Sequence, residues 1–433
     1  MASWDEAIYA SVAKEVVQSG DWLRLTLSGT LWFDKPPLAI WVTALFYKLL
    51  GVNEFSARLF SALCGVGCVI TTYYLGRELM NRWVGFIGAL ILLSTSHFLR
   101  FSRFGMMDAP LTFFMTLALS FFWLGHFKNR YLIFSGIAIG LGVMTKGFAA
   151  LLVFPVIGVY CWASGRLALL ARPSYWTGVL IAVLIVFPWH AYQFWMYHDV
   201  FLKDVVLKHL VTRTTTALDG HFGSWYFYLR VLVNKFHPWI LIAIFSAPFF
   251  LFKAVKDRED SDIFLSSWIF FIFTTITLVK TKLSWYVIPI YPPLSLTAAV
   301  FLSKLFKESY SLYVKAIFLV VLALHVPYSR VFDHDYSRDI KGIAAATLEA
   351  VPKTQQLYLY QYHESPAVSF YLGRSAAYLD TREDFLKRSS EPRFYCLIHA
   401  NRLDSMGLLS SDLSRLGLKV QASFEGLRLL AKI

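Results

Sequence analysis

Long apolar runs separated by short polar breaks dominate the chain. A helix needs about 17–25 mostly apolar residues to cross the hydrocarbon of a bilayer. Runs of that kind recur at 55–76, 83–99, 110–126, 131–146, 148–165, 175–192, 238–253, 262–279, 285–304 and 311–328. The pattern predicts a mainly α, polytopic membrane protein with about ten spans in a domain covering 55–328. The run 38–50 is shorter and follows Pro36-Pro37. It puts Leu38, Trp41, Val42, Leu45, Phe46 and Leu49 on one stripe, as expected of an amphipathic helix lying on the membrane surface. Ser3-Trp4-Asp5-Glu6 opens another amphipathic helix, with Tyr9, Val12, Ala13, Val16 and Val17 at helical spacing and a stop at Gly20. Residues 1–54 thus read as a first loop carrying a helix pair. From about residue 329 the apolar runs cease. Strands predicted at 355–362, 376–380 and 393–399 alternate there with helices at 365–373, 381–390 and 402–416, ending in 418–432. This predicts a small α/β domain over 329–433.

Composition sharpens the class. Of 433 residues, 57% are hydrophobic and 16% charged, against about 45–50% and about 25% in soluble domains. A disordered chain is excluded and an ordinary soluble enzyme disfavoured. The 41 Lys and Arg against 28 Asp and Glu leave a net +13. No basic stripe accompanies this charge, so nucleic acid is not an expected partner; in a membrane chain such residues mark cytoplasmic loops. With the N-terminus outside and 55–76 running inward, the loops 76–82, 126–130, 165–172, 253–262 and 304–307 all fall inside, and all carry Lys or Arg. Residues 1–54, 100–108, Lys146, 193–237, 280–282 and everything after 329 then fall outside. Cys64, Cys68, Cys161 and Cys396 suggest neither a disulfide framework nor a Cys metal site. No glycine-rich phosphate loop and no internal repeat occurs.

The outside basic residues Arg100, Arg103, Lys146, Lys280 and Lys282 break the orientation rule. Singly, each is explained by snorkelling to lipid phosphate; gathered with carboxylates on one face, they point to an anionic ligand. Glu6 either completes a capping box with Ser3 or is a candidate catalytic acid, and Asp5 either favours the helix dipole or acts as a general base toward an acceptor hydroxyl. Phe33-Asp34-Lys35-Pro36-Pro37 places an acid and a base just before a rigid helix start, as a solvated turn or as part of a site. Asp108 caps the span that follows it, pairs with Arg103, or serves chemistry.

Six motifs carry a resemblance. Asp5-Glu6, Phe33-Asp34-Lys35-Pro36-Pro37, Asn53-Glu54-Phe55-Ser56-Ala57-Arg58, Arg103 to Asp108-Ala109-Pro110, Thr145-Lys146-Gly147 and Lys282-Leu283-Ser284-Trp285-Tyr286-Val287-Ile288-Pro289 follow one another on the expected outer face. Together they resemble the GT-C glycosyltransferases, in the branch of protein O-mannosyltransferases and lipid A aminoarabinose transferases. The resemblance covers most of 1–300. It implies an enzyme of the inner (plasma) membrane that moves a sugar from a polyprenyl-phosphate donor, with inversion, to a lipid, glycan or protein acceptor on the extracytoplasmic face. By the same resemblance Asp5, beside Glu6, stands at the reaction centre, and Asp108 is a second active-site acid. Lys35, Lys146, Lys282 and Tyr286 match positions lining the donor phosphate site, and Arg103 can add charge there.

The chain also departs from that pattern. Ile8 stands where the family often has Arg, and Asp34 where it has Glu. The family's acid-His pair reads Lys208-His209, with a further His221-Phe222-Gly223 beyond it, so a divalent-metal site built from Asp34 and His209 is an open question. The family normally has a membrane span ahead of the first-loop acids, which predicts an apolar run upstream of Asp5 in the natural reading frame. The rivals from other classes are a secondary transporter, which favours midplane charges and a repeat, and an envelope assembly protein without catalysis.

Overall fold

The computed structural model describes residues 4–203, 212, 222–305, 319–320, 338–361, 365–373, 376–405, 410–424 and 426–432. The chain divides into two compact units, one of Met1–Ser19, Thr26–Thr30 and His334–Ile433 and one of Gly20–Leu25 and Leu31–Asp333.

In the first unit, helix α1 (Trp4–Ser19) buries Ala7, Tyr9, Ala10, Val12, Ala13 and Val16, close to the expected stripe. The Glu15 carboxylate accepts from Thr26 Oγ1 at 2.6 Å and from the backbone N–H of Ser28 at 2.6 Å, tying the hairpin β1 (Thr26–Leu27) and β2 (Thr30–Leu31) to α1. The expected first loop of 1–54 is therefore shared between units: α1 and Thr26–Thr30 group with the C-terminal domain.

That domain is a five-stranded sheet in the order β4-β3-β5-β7-β6. Its strands are β3 (Leu357–Tyr360), β4 (Ala377–Leu379), β5 (Tyr395–His399), β6 (Lys419–Phe424) and β7 (Leu427–Ala431). β3 pairs in parallel with β4 and β5, while β5–β7 and β7–β6 are antiparallel. Phe385, Phe394, Cys396, Ile398 and Leu430 fill its core. Each predicted strand is present. The predicted helix 402–416 is instead two short helices, Ala400–Ser405 and Ser410–Arg415, and residues 406–409 lie outside the described set.

The second unit is helical. Helix α2 (Leu38–Leu50) has the predicted bounds. Ala39, Ile40, Thr43, Ala44 and Tyr47 are buried, while the predicted apolar stripe is only partly covered by protein, with Leu45 47% and Leu49 68% exposed. Asn53 starts α3 (Glu54–Leu79) by accepting from Ser56 N at 2.9 Å. Asn81 likewise starts α4 (Arg82–Ser94).

The expected span 83–99 is broken, because α4 and α5 (Ser96–Arg103) meet at a 67° bend. Its cause is local: the Ser94 and Thr95 hydroxyls both bond Ile91 O, and Thr95 is extended. There follow α6 (Asp108–Leu124), α7 (Arg130–Lys146), α8 (Val153–Ala163), α9 (Pro173–Leu202), α10 (Phe227–Lys235), α11 (Ile240–Lys256), α12 (Asp260–Leu278) and α13 (Tyr291–Leu305).

Among the described residues, five helical runs are long and apolar enough to cross a membrane, or six with the bent pair. The count falls below ten for three reasons. α6 and α11 each have only 17 residues. Arg130–Ala163 is one helical run by length, covering two predicted spans. Most of 311–328 lies outside the described set. Within Arg130–Ala163 the chain nonetheless reverses: Lys146 meets Asp108 at the start of α6, whereas Tyr160 meets His126 just past its end. Gly147, at φ +64°, begins that reversal, a conformation that costs glycine little.

α7 and α9 are seamed backbone to backbone. A methyl added at Gly136 would run into the backbone of Gly178, and one at Gly140 would stand 3.1 Å from Ala182 Cα. Small residues at this spacing let helices approach closely in a membrane. The two facing pairs keep a constant offset, so α7 and α9 run in the same direction.

Candidate active site

α6 and α7 are antiparallel neighbours, and each carries a charge on the end that stabilises it. Asp108 occupies the first turn of α6 and Lys146 the last turn of α7, matching the positive and negative poles of their helix dipoles. The two side chains form an ion pair, with 3% and 10% of their surfaces exposed. Lys146 Nζ also stands 5.7 Å from the centre of the Tyr286 ring. Tyr286 belongs to the 3-10 segment Ser284–Ile290.

This pair opens on a cavity of about 680 Å³. Along α6 it is lined by Asp108, Leu111 and Met115, and along α7 by Ile139, Val143 and Lys146. Those spacings are single helical faces, one charged end leading into two apolar turns. Val179, Val183 and Phe187 of α9 and Ile272 and Ile276 of α12 extend the apolar wall. Phe33 to Pro36 line it beside the Lys146–Gly147 turn, with Pro36 3.9 Å from the position a Gly147 Cβ would take. Lys35 is buried, and its Nζ donates to Asp34 O at 2.8 Å.

The structure therefore gathers Asp34, Lys35, Asp108, Lys146 and Tyr286 at one cavity. Lys282 and Arg103 are not in its wall. Lys282 Nζ donates to Ile276 O at 3.1 Å and to Thr277 O, capping the C-terminus of α12, and stands 5.4 Å from the Tyr228 ring centre. Burial, reinforced by nearby Lys280, pulls its pKa below the usual lysine range. Arg103 ends α5. Asp5 and Glu6 stand in the first turn of α1, in the other unit, where Asp5 is half-buried and Glu6 is fully buried. His209 and His221 lie outside the described residues. Among the described residues no group of three His, Cys, Asp or Glu side chains converges to hold a metal ion.

Two wall residues escape the sequence reading. Trp285 adjoins Tyr286 within the last of the six motifs, and His190 is hidden in the apolar run 175–192 beside Trp189.

Comparison with known proteins agrees with this architecture. The dolichyl-phosphate-mannose-protein mannosyltransferase family matches residues 34–192. An uncharacterized protein of Aquifex aeolicus is 32% identical over 304 residues, covering 69% of this chain and 59% of that protein. The undecaprenyl phosphate-alpha-4-amino-4-deoxy-L-arabinose arabinosyl transferase of Edwardsiella ictaluri is 29% identical over 322 residues, covering 70% of this chain and 56% of that enzyme. The chain thus spans a little over half the length of the curated relatives it matches. The crystal structure of ArnT from Cupriavidus metallidurans bound to undecaprenyl phosphate superposes with a TM-score of 0.81 at 20% identity, covering 99% of this chain and 93% of that one. The Archaeoglobus fulgidus oligosaccharyltransferase gives 0.67 at 12% identity, covering 100% and 71%. The protein is a multi-pass membrane protein with the fold of the GT-C glycosyltransferases. Its matched family and relatives lie in the branch of the mannosyltransferases and aminoarabinose transferases, which the chain resembles.

Proposed function

We propose that the chain is an inner-membrane glycosyltransferase that moves a sugar from a polyprenyl-phosphate donor to a lipid, glycan or protein acceptor of the cell envelope, on the outer face and with inversion. The observation that carries this reading is the cavity with Lys35, Lys146 and Asp108 at one end and apolar walls along α7, α9 and α12. Those two characters match an anionic headgroup on a hydrocarbon chain.

In the proposed reaction the bond between the anomeric carbon and the phosphate oxygen breaks, and the acceptor oxygen bonds that carbon from the opposite face. The leaving group is a phosphate anion of modest basicity, so cations that hold it serve better than an acid that protonates it. Lys35 and Lys146 supply that charge, and Asp108 orients Lys146. Asp5 takes the proton of an acceptor hydroxyl; an acceptor that is itself an ionised phosphate needs no such base. Lys282 acts by fixing the loop before Tyr286.

The test supplies membranes containing the full-length protein with a panel of undecaprenyl-phosphate sugars and detects the products by mass spectrometry. Transfer by the wild type is expected, with loss in Asp5→Asn at unchanged expression. Lys146→Ala should weaken donor use more than acceptor use. Near-normal turnover of Asp5→Asn removes Asp5 as the base.

A further inference from the structure

Hydrogen bonding fixes the tautomer of two histidines in the helical unit. His126 Nδ1 lies 2.7 Å from Trp123 O, and its Nε2 lies 2.8 Å from the Tyr160 hydroxyl. A carbonyl only accepts, so Nδ1 carries the hydrogen and Nε2 accepts from the tyrosine. His190 repeats the first half of this arrangement, with Nδ1 2.8 Å from Val186 O. Its Nε2 is therefore also an acceptor. Among the described residues none donates to it, and the ring lies in the cavity wall.

Its height in the cavity follows from the seam between α7 and α9. Gly136 faces Gly178 and Gly140 faces Ala182. Continuing that offset brings Lys146 level with Pro188, and His190 just beyond it. Trp189 and Gln193 on the same stretch both donate to Leu23 O, at 3.3 and 2.7 Å, which holds this part of α9 in place. His190 is thus a fixed acceptor at the charged end of the cavity.

A neutral imidazole presenting a lone pair repels phosphate oxygens, which also only accept, and pairs with an O–H or N–H group. We infer that His190 Nε2 accepts a hydrogen bond from a hydroxyl or amino group of the sugar being transferred, as a specificity-determining residue of the donor site. This rests on the glycosyltransferase reading above. The lysines hold the phosphate, and the histidine reads the sugar attached to it.

The experiment uses the purified full chain, His190→Phe and His190→Gln. Two quantities are measured for each: the Kd for undecaprenyl phosphate, which has no sugar, and the KM for the undecaprenyl-phosphate sugar that the wild type transfers best. His190→Phe should raise that KM about tenfold, the scale of one hydrogen bond lost in a site. Its Kd for undecaprenyl phosphate should stay within about twofold of wild type, which also reports a folded site. Glutamine can place its amide oxygen near Nε2, so His190→Gln should recover most of the loss. An unchanged KM in His190→Phe overturns the inference, as does equal weakening of both ligands. A His190→Gln as poor as His190→Phe assigns the residue to shape or proton transfer instead and also overturns it. If the wild type transfers no sugar although it binds undecaprenyl phosphate, the glycosyltransferase reading fails and the inference falls with it.

Discussion

The two ends of the α6–α7 pair hold polar groups of contrasting completeness. Past the end of α6, His126 uses both ring nitrogens, and Arg172 donates to Gly125 O at 2.8 Å and to Asn129 Oδ1 at 3.0 Å. The nearby Arg166–Asp260 pair is 2.6 Å long, with 52% and 28% of the side chains exposed. At the opposite end the Asp108–Lys146 pair is almost fully buried, and in the wall of the same cavity His190 presents an acceptor. The first end is closed by its own residues and needs no ligand. The second retains charge in an apolar enclosure, which is expensive to desolvate and is repaid when an ionic ligand is handled there.

The contrast can be broken most forcefully at Asp108. Asp108→Asn should lower kcat by at least about 100-fold, the scale of losing one preorganised electrostatic group. Leaving Lys146 buried and unpaired should also cost about 3–5 kcal/mol of stability, seen as a lower Tm in detergent. The double variant Asp108→Asn with Lys146→Met should regain stability but not transfer, whereas a double variant as unstable as the single one would mean that the pair is not what the fold protects.

A smaller effect is expected from pH at the closed end. Burial holds the pKa of His126, in the turn between α6 and α7, below its ordinary value. The folded state therefore keeps it neutral while the unfolded chain takes up a proton near pH 6.5. Stability should fall as the pH drops below that value and level off once His126 itself is protonated. His126→Gln should flatten the slope in thermal unfolding measured across that range. The smallest effect belongs to Arg166→Ala, which removes an exposed ion pair. It should change stability by about 0–1 kcal/mol and leave transfer unchanged.

Much of this was legible in the sequence because the relevant signals are local. Apolar length marks α3, α9 and α12, and the Pro36-Pro37 pair marks the start of α2. Alternation of short strands and helices marks the C-terminal sheet. Of the cavity residues, Asp108 and Lys146 could be picked out because charge at a span end is conspicuous, Asp34 and Lys35 because they precede a rigid helix start, and Tyr286 through the resemblance of its motif. What hydropathy cannot register is direction. The reversal at Gly147, the bend at Thr95 and the partly covered stripe of α2 depend on which backbone groups and neighbours are available in three dimensions. For the same reason Lys282 resembles a phosphate ligand in sequence yet caps α12, and His190 is invisible until its Nδ1 is seen to be bonded to Val186. The grouping of α1 with residues more than three hundred positions later is likewise a matter of packing, carried by contacts such as Lys14 Nζ to Phe370 O at 3.0 Å.

The glycine seam also gives the cavity a lever. From Gly136 to Lys146 is ten residues, or about 15 Å of helix. With no side chain between the two backbones at the fulcrum, any shim inserted there tilts one rod against the other. The gap between Lys146 and His190 would widen at the far tip, out of all proportion to the added methyl. Chamber calibre is thereby set several turns away from the chemistry, at positions bearing no functional group at all.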